Sequence, residues 1–191
     1  MAARWLVALL REESFPLQHT YHLNRELLSI STASVEFDAS PWGGGALLTR
    51  DGVVQEYFVL VWDGTEASHL GVVIGSPNWQ SFWELATLVL AIVRWADITD
   101  GLCFLGDNIA SLELALSGKA KGAMGALARE LFWRKARNQW HYGVGHLAAE
   151  ANVTADALSR FAQPGVVPSL PERCEGAAEV FVESFESLWQ V

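Results

Sequence analysis

Four carboxylates sit where an acidic side chain is hard to treat as mere surface. Asp38 ends the apolar run of SVEFDASPWGGGALL, just before a turn and three glycines. Glu84 is the only charged residue between Trp79 and Val93, inside WQSFWELATLVLAIVRW. A carboxylate in so apolar a helix has to be paired, metal-bound, neutral or aimed at an opening. Asp107 closes the apolar run GLCFL after Gly106, and Asp156 lies in the first turn of a late helical stretch. Each has an ordinary use as well. Asp38 suits a turn, Asp107 with Asn108 suits a helix cap, and Asp156 can serve a helix dipole or pair with Arg160 four residues on, worth about 0.3 to 0.5 kcal/mol. Taken together, several carboxylates at one edge repel one another unless cations neutralise them. Hard oxygen donors of this kind suit Mg²⁺ or Mn²⁺.

The elements that would bring them together follow from the pattern around them. Val35 to Asp38, Gly45 to Thr49 and Val53 to Val61 read as strands of an antiparallel meander, broken by Pro41, the glycines and Asp51-Gly52. The Glu84 segment lacks Gly and Pro and is apolar nearly all round, which marks a buried helix. Gly101 to Leu105 has the continuous apolar character of a buried strand, with Asn108 to Leu116 a helix directly after it. Gly122 to Asn138 reads as a helix, Gln139 to Val144 as a short strand, and Asn152 to Phe161 as a last helix with Asn152 as N-cap. The order βββαβααβα implies an α/β fold, a five-stranded mixed sheet with helices packed on it. If the strands carrying Asp38 and Asp107 are parallel neighbours joined by a right-handed crossover through the Glu84 helix, both aspartates emerge at the strands' carboxyl edge.

The whole chain sets the frame for that site. Its 191 residues are 51% hydrophobic, enough for one well-filled core. Three segments are expected: a connection-like stretch over 1–33, the main domain over 34–162, and a Pro-containing linker with an acidic tail over 163–191. Cys103 and Cys174 show no disulfide or zinc spacing, and Trp5 to Leu10 is too short for a signal-peptide core, so a reducing, intracellular (cytoplasmic or nuclear) setting with no membrane span is expected. The net charge of −9 opposes a general nucleic-acid coat. It hides a local reversal, since six basic residues, Lys119, Lys121, Arg129, Arg134, Lys135 and Arg137, lie in one helical stretch against the single acid Glu130. That stripe reads equally as a solvated face or as a phosphate-binding surface. His19 and His22 form an HxxH with no visible third ligand, and His69 and His141 read as ordinary surface or packing histidines.

From FDASPWGGGALL through ELATLVLAI, FLGDNIASLELAL and GHLAAEANVTADALSR, the chain resembles the ribonuclease H domain of retroelement reverse transcriptases, of the LTR or tyrosine-recombinase retrotransposon type. The closing ADALSR, preceded by His146 and Asn152, is similar to that family's last motif, and GDN to its Asp-Asn at the end of the fourth strand. The resemblance covers about Ser34 to Phe161, four motifs in order on the expected elements. It implies a ribonuclease H-like fold and hydrolysis of the RNA strand of RNA/DNA hybrids with two Mg²⁺ ions, or Mn²⁺.

Residue by residue, the resemblance places the metal-binding carboxylates on Asp38, Glu84, Asp107 and Asp156. A mobile histidine that handles protons and product release falls on His146, as suits a group titrating near neutral pH. Ser40, Asn108, Lys119, Lys121, Arg134, Lys135, Arg137 and Asn152 are the candidate nucleic-acid contacts. Partners would be the hybrid and a reverse transcriptase polymerase domain joined through 1–33. The alternatives are a catalytically inactive scaffold or protein-binding domain of the same fold, or another two-metal nuclease built on it. Gly43 to Gly45 read either as room for a close approach by the returning strand and a nucleic-acid backbone or simply as a tight bend.

Overall fold

The structure, a computed structural model, describes residues 33–64, 70–98 and 101–182. His19, His22, His69 and nearly all of the connection-like stretch lie outside the described residues.

Three strands open the fold: β1 (Ala33–Ser40), β2 (Gly43–Arg50) and β3 (Val53–Val61). Both turns follow from their residues. Ser40 Oγ accepts from the Trp42 and Gly43 N–H groups, at 3.2 and 3.1 Å, and so closes the first. Asp51 and Gly52 both take positive φ, 50° and 79°, the primed-turn conformation that fits the twist of a two-residue hairpin. Helix α1 (Gln80–Trp95) follows a one-turn 3₁₀ segment and is buried on nearly every side. Then come β4 (Leu102–Gly106), α2 (Ile109–Ser117), α3 (Gly122–Asn138), β5 (Tyr142–His146), α4 (Val153–Ser159) and β6 (Ala178–Glu179). The expected chain order βββαβααβα is present, with a short sixth strand added.

The sheet runs β5-β4-β1-β2-β3-β6. The β1–β2 and β2–β3 pairs are antiparallel, whereas β4 lies parallel to both β1 and β5. The crossover from the meander through α1 to β4 therefore places β4 against β1, the neighbour relation that a shared edge for the two aspartates requires. One face carries the main core, where Val35, Phe37 and Phe104 meet Leu85, Leu88 and Ile92 of α1 and Leu127 and Leu131 of α3. On the other face Leu47, Val54 and Tyr57 pack against Ala155 and Leu158 of α4 and against Cys174. Each fully buried side chain of this size contributes roughly 1.5 to 3 kcal/mol.

Several boundaries differ from the pattern reading, each for a local reason. Gln139 does not begin a strand; it takes φ 54° and ends α3 in the left-handed conformation, so β5 starts at Tyr142. Asn152 stands at the N-cap position of α4 without a side-chain cap. Its amide instead donates to the Phe37 carbonyl at 3.0 Å and ties α4 to β1. Residues 171–182 belong to the fold's edge. Cys174 is fully buried, Arg173 forks onto both oxygens of Glu36 at 2.8 Å, and Val180 N–H donates to the Tyr57 carbonyl at 2.8 Å.

Gly43 to Gly45 owe their type to close packing, Gly43 chiefly against the Leu60 carbonyl of β3 and the other two against helices on opposite faces. A Cβ on Gly45 would strike Leu158 of α4, and one on Gly44 would strike Thr87 of α1. These positions leave no room for a nucleic-acid backbone, because protein fills the space. A Gly45→Ala substitution is expected to push α4 off the sheet and lower stability by about 1 to 3 kcal/mol, the usual cost of overpacking, measured by urea unfolding.

Candidate active site

The carboxylates come together because of strand register. In the parallel pair, Ser34 lies opposite Cys103, Val35 opposite Phe104 and Glu36 opposite Leu105. Continued two positions further, the same register brings Asp38 level with Asp107, just beyond the end of β4. Glu84, in the second turn of α1, reaches the same point from above. One carboxylate oxygen from each of Asp38, Glu84 and Asp107 lies within 4.8 Å of the others. Asp38 and Glu84 are buried, at 5% and 2% exposure, while Asp107 is half-buried.

Bringing these groups together costs electrostatic energy, and both buried members show it. Burial raises the Asp38 carboxyl to about 7, the Ser159 hydrogen bond pulls it the other way, and the charges of Asp156 and Asp107 add to the rise. Burial, then the neighbouring Asp38, holds Glu84 well above the usual carboxylate range. Among the described residues Oε2 of Glu84 is buried without a hydrogen-bond partner. A buried carboxylate with one unpaired oxygen, clustered with two further carboxylates, calls for positive charge. Among the described residues no Lys or Arg forms an ion pair with any of the three. Asp38, Glu84 and Asp107 are thus the residues that could hold a divalent cation, and their all-oxygen donor set fits a hard one.

Asp156 stands beside this group but outside it. Its Oδ1 takes both Nε and Nη2 of Arg160, at 2.8 and 2.6 Å, the local pair that the sequence spacing offered. His146, the last residue of β5, pairs with Gly106 immediately before Asp107, and is exposed. It therefore stands at the same sheet edge, one strand further out.

The candidate nucleic-acid contacts divide by environment. Lys119, Lys121 and Arg137 are exposed. Arg134 bonds the buried Glu130 at 2.7 Å, and Lys135 lies over the Tyr142 ring with Nζ 4.5 Å from its centroid. Asn108 caps α2 by accepting from Ser111 N–H at 3.1 Å. Ser40 and Asn152 are buried, the first in its turn and in a bond to the Ser159 carbonyl at 2.8 Å, the second on β1. The sequence reading passed over two side chains that touch the carboxylates directly, Ser159 and Gln80. Ser159 Oγ donates to Asp38 Oδ2 at 2.6 Å, and Gln80 Nε2 donates to Glu84 Oε1 at 2.9 Å. The only signal for them was spacing, since Gln80 precedes Glu84 by four residues and Ser159 follows Asp156 by three.

Fold and site together define a mixed α/β sheet with an acidic cluster at the carboxyl edge of its central parallel strands. No protein-family model matches the chain, and no curated protein matches it. Among solved structures it is similar to RNase H1 from the halophilic archaeon Halobacterium salinarum NRC-1, with 17% identity over 70% of this chain and 98% of that one, at a TM-score of 0.49. It is also similar to LC11-RNase H1, isolated from compost, in complex with an RNA/DNA hybrid (13% identity, 66% and 92% covered, TM-score 0.46). A third is the foamy viral protease-reverse transcriptase in complex with double-stranded DNA (14%, 94% and 32%, 0.40). Among the described residues no helix is long and apolar enough to cross a membrane.

Proposed function

We propose that this protein is a metal-dependent endonuclease that hydrolyses the RNA strand of RNA/DNA hybrids, as the ribonuclease H part of a retroelement reverse transcriptase or a protein derived from one. The observation that carries this reading is the group formed by Asp38, Glu84 and Asp107, two of them buried and, among the described residues, none ion-paired, in a chain whose element order follows the sequence pattern. A structural use for each carboxylate alone does not explain why three converge with Glu84 Oε2 left unbonded.

In this reading Asp38, Glu84 and Asp107 hold the cation, and Asp156 joins them by releasing Arg160. A bound Mg²⁺ or Mn²⁺ pair would supply a nucleophilic hydroxide near neutral pH and charge for the leaving 3′ oxygen. His146, exposed at the same edge, is placed to carry a proton between solvent and the site. Lys119, Lys121 and Arg137 have free surface for phosphates. Restriction to RNA would come from its 2′-hydroxyl, the donor and acceptor that DNA lacks. The segment over 1–33 would connect to a polymerase domain, and an intracellular site of action follows from the same reading.

The test is cleavage at low salt of a labelled RNA/DNA hybrid beside single-stranded RNA, duplex RNA and duplex DNA, with Mg²⁺, Mn²⁺ or EDTA. Low salt matters because phosphate contacts weaken steeply as salt rises. Metal-dependent cutting of the hybrid alone is expected. Cutting of duplex DNA instead would assign another nuclease activity to the fold, and no cutting by a folded protein would favour a scaffold role.

A further inference from the structure

The two buried carboxylates are held alike: each has one oxygen taken by a neutral side-chain donor, across elements for Asp38 and one helical turn away for Glu84. Asp38 Oδ2 receives the Ser159 hydroxyl of α4 at 2.6 Å, and Glu84 Oε1 receives the Gln80 amide of α1 at 2.9 Å. Both donors are themselves fixed. The Ser159 carbonyl accepts from Ser40 Oγ at 2.8 Å, and Gln80 Nε2 also donates to the Ala39 carbonyl of β1. Ser159 is fully buried, and its hydroxyl also lies 2.9 Å from the Asp156 carbonyl, so its position is set by the helix as well as by the carboxylate. The result is a division of labour within each carboxylate. Among the described residues Glu84 Oε2 is buried without a hydrogen-bond partner, and the Ser159 bond engages Asp38 through Oδ2.

We propose that Ser159 and Gln80 are positioning residues for a divalent cation, each holding one oxygen of a buried carboxylate so that the other faces the site. This rests on the metal-dependent reading of the same cluster. The donors' neutrality is what makes them suitable. An Arg or Lys in either place would fix the carboxylate equally well but would cancel the charge that attracts the cation. A hydroxyl and an amide orient without neutralising, as partners of metal ligands do elsewhere, where their loss lowers metal affinity by 10- to 100-fold.

The experiment measures Mn²⁺ binding directly, by the free-ion EPR signal, in the wild type and in Ser159→Ala, Ser159→Thr and Gln80→Met. Hybrid cleavage is then followed as a function of metal concentration. Ser159→Ala and Gln80→Met are each expected to weaken Mn²⁺ binding about tenfold. The metal concentration for half-maximal cleavage should rise in proportion, with KM for the hybrid unchanged. Ser159→Thr keeps the hydroxyl and should restore most of the affinity. Mn²⁺ affinity equal to wild type in both Ser159→Ala and Gln80→Met, whatever their melting temperatures, would overturn the proposal, as would a wild type that binds no Mn²⁺. A weakened Mn²⁺ affinity in proteins that never cut the hybrid would leave the positioning role standing and sink the nuclease reading instead. Because Gln80 is only half-buried at the start of α1, its variant reports on orientation even if Ser159→Ala loses stability.

Discussion

Hybrid cleavage by Asp107→Asn is expected to fall by about three orders of magnitude, on the order of 4 kcal/mol of transition-state stabilisation, in a protein that remains folded. Asp107 lies just past β4, half-buried, and its backbone leads directly into the Asn108 cap of α2. Asparagine keeps the size and one carbonyl oxygen, so the cap and the register with β1 survive. What disappears is one of the three negative charges that would draw and hold the cations. Glu84→Gln removes a second and should lose activity comparably. Asp156→Asn acts on a group paired with Arg160 and outside the three-carboxylate cluster, and is expected to have the smaller effect in metal-binding titrations. Measured kcat at saturating Mg²⁺, with circular dichroism to verify folding, decides the matter. Near-wild-type turnover by Asp107→Asn would remove the cluster from the mechanism.

The second large effect is on stability, and its sign is the reverse of the usual one for a carboxylate. In the folded protein without metal, the Asp38 carboxyl is raised to about 7 from 3.8. The folded state therefore binds this proton more tightly than the unfolded chain does. Asp38 contributes its stabilisation fully below about pH 4 and loses it as pH rises through about 7. A rise of that size corresponds to something on the order of 4 kcal/mol, shared with Glu84, whose carboxyl moves in the same direction for the same leading cause, burial. In EDTA, Asp38→Asn should accordingly be more stable than the wild type at pH 8, and the advantage should vanish near pH 4. Millimolar Mn²⁺ should reverse the order at pH 8 by stabilising only the wild type. Urea unfolding of both proteins at the two pH values, with and without metal, gives the four comparisons. Parallel pH profiles for the two proteins would show that the cluster does not carry the cost assigned to it.

How much of this was legible in the sequence depended on whether a residue's role followed from its own strand or helix. Asp38, Glu84 and Asp107 could be read because each interrupts an apolar run, and because a right-handed crossover leaves few ways to arrange the strands that carry the aspartates. The Asp156 and Arg160 pair was legible for a similar reason, since four residues is one helical turn. Roles that depend on how one element crosses another were not. Asn152 looks like a cap because Asn at a helix start commonly is one, yet α4 lies close enough to β1 for its amide to reach Phe37 instead. Ser159 faces Asp38 across 121 positions of chain, on a helix whose close seat on the sheet depends on Gly45 having no side chain. The edge over 171–182 was hidden by the prolines leading into it and by its own acids, which read as solvated chain. What binds it is the fork from Arg173, one buried thiol and the pairing of β6 with β3.

That thiol turns the edge into something that can be timed. Cys174 is fully covered beside Tyr57, whereas Cys103 on β4 is half-exposed, so the two cysteines of the chain differ in shielding within one molecule. Under an excess of a thiol reagent, Cys174 should label only as often as residues 171–182 lift from β3. Its labelling rate would then act as a clock for that opening, and Arg173→Met, which cuts the tie to Glu36, should make it run faster while Cys103 keeps its pace.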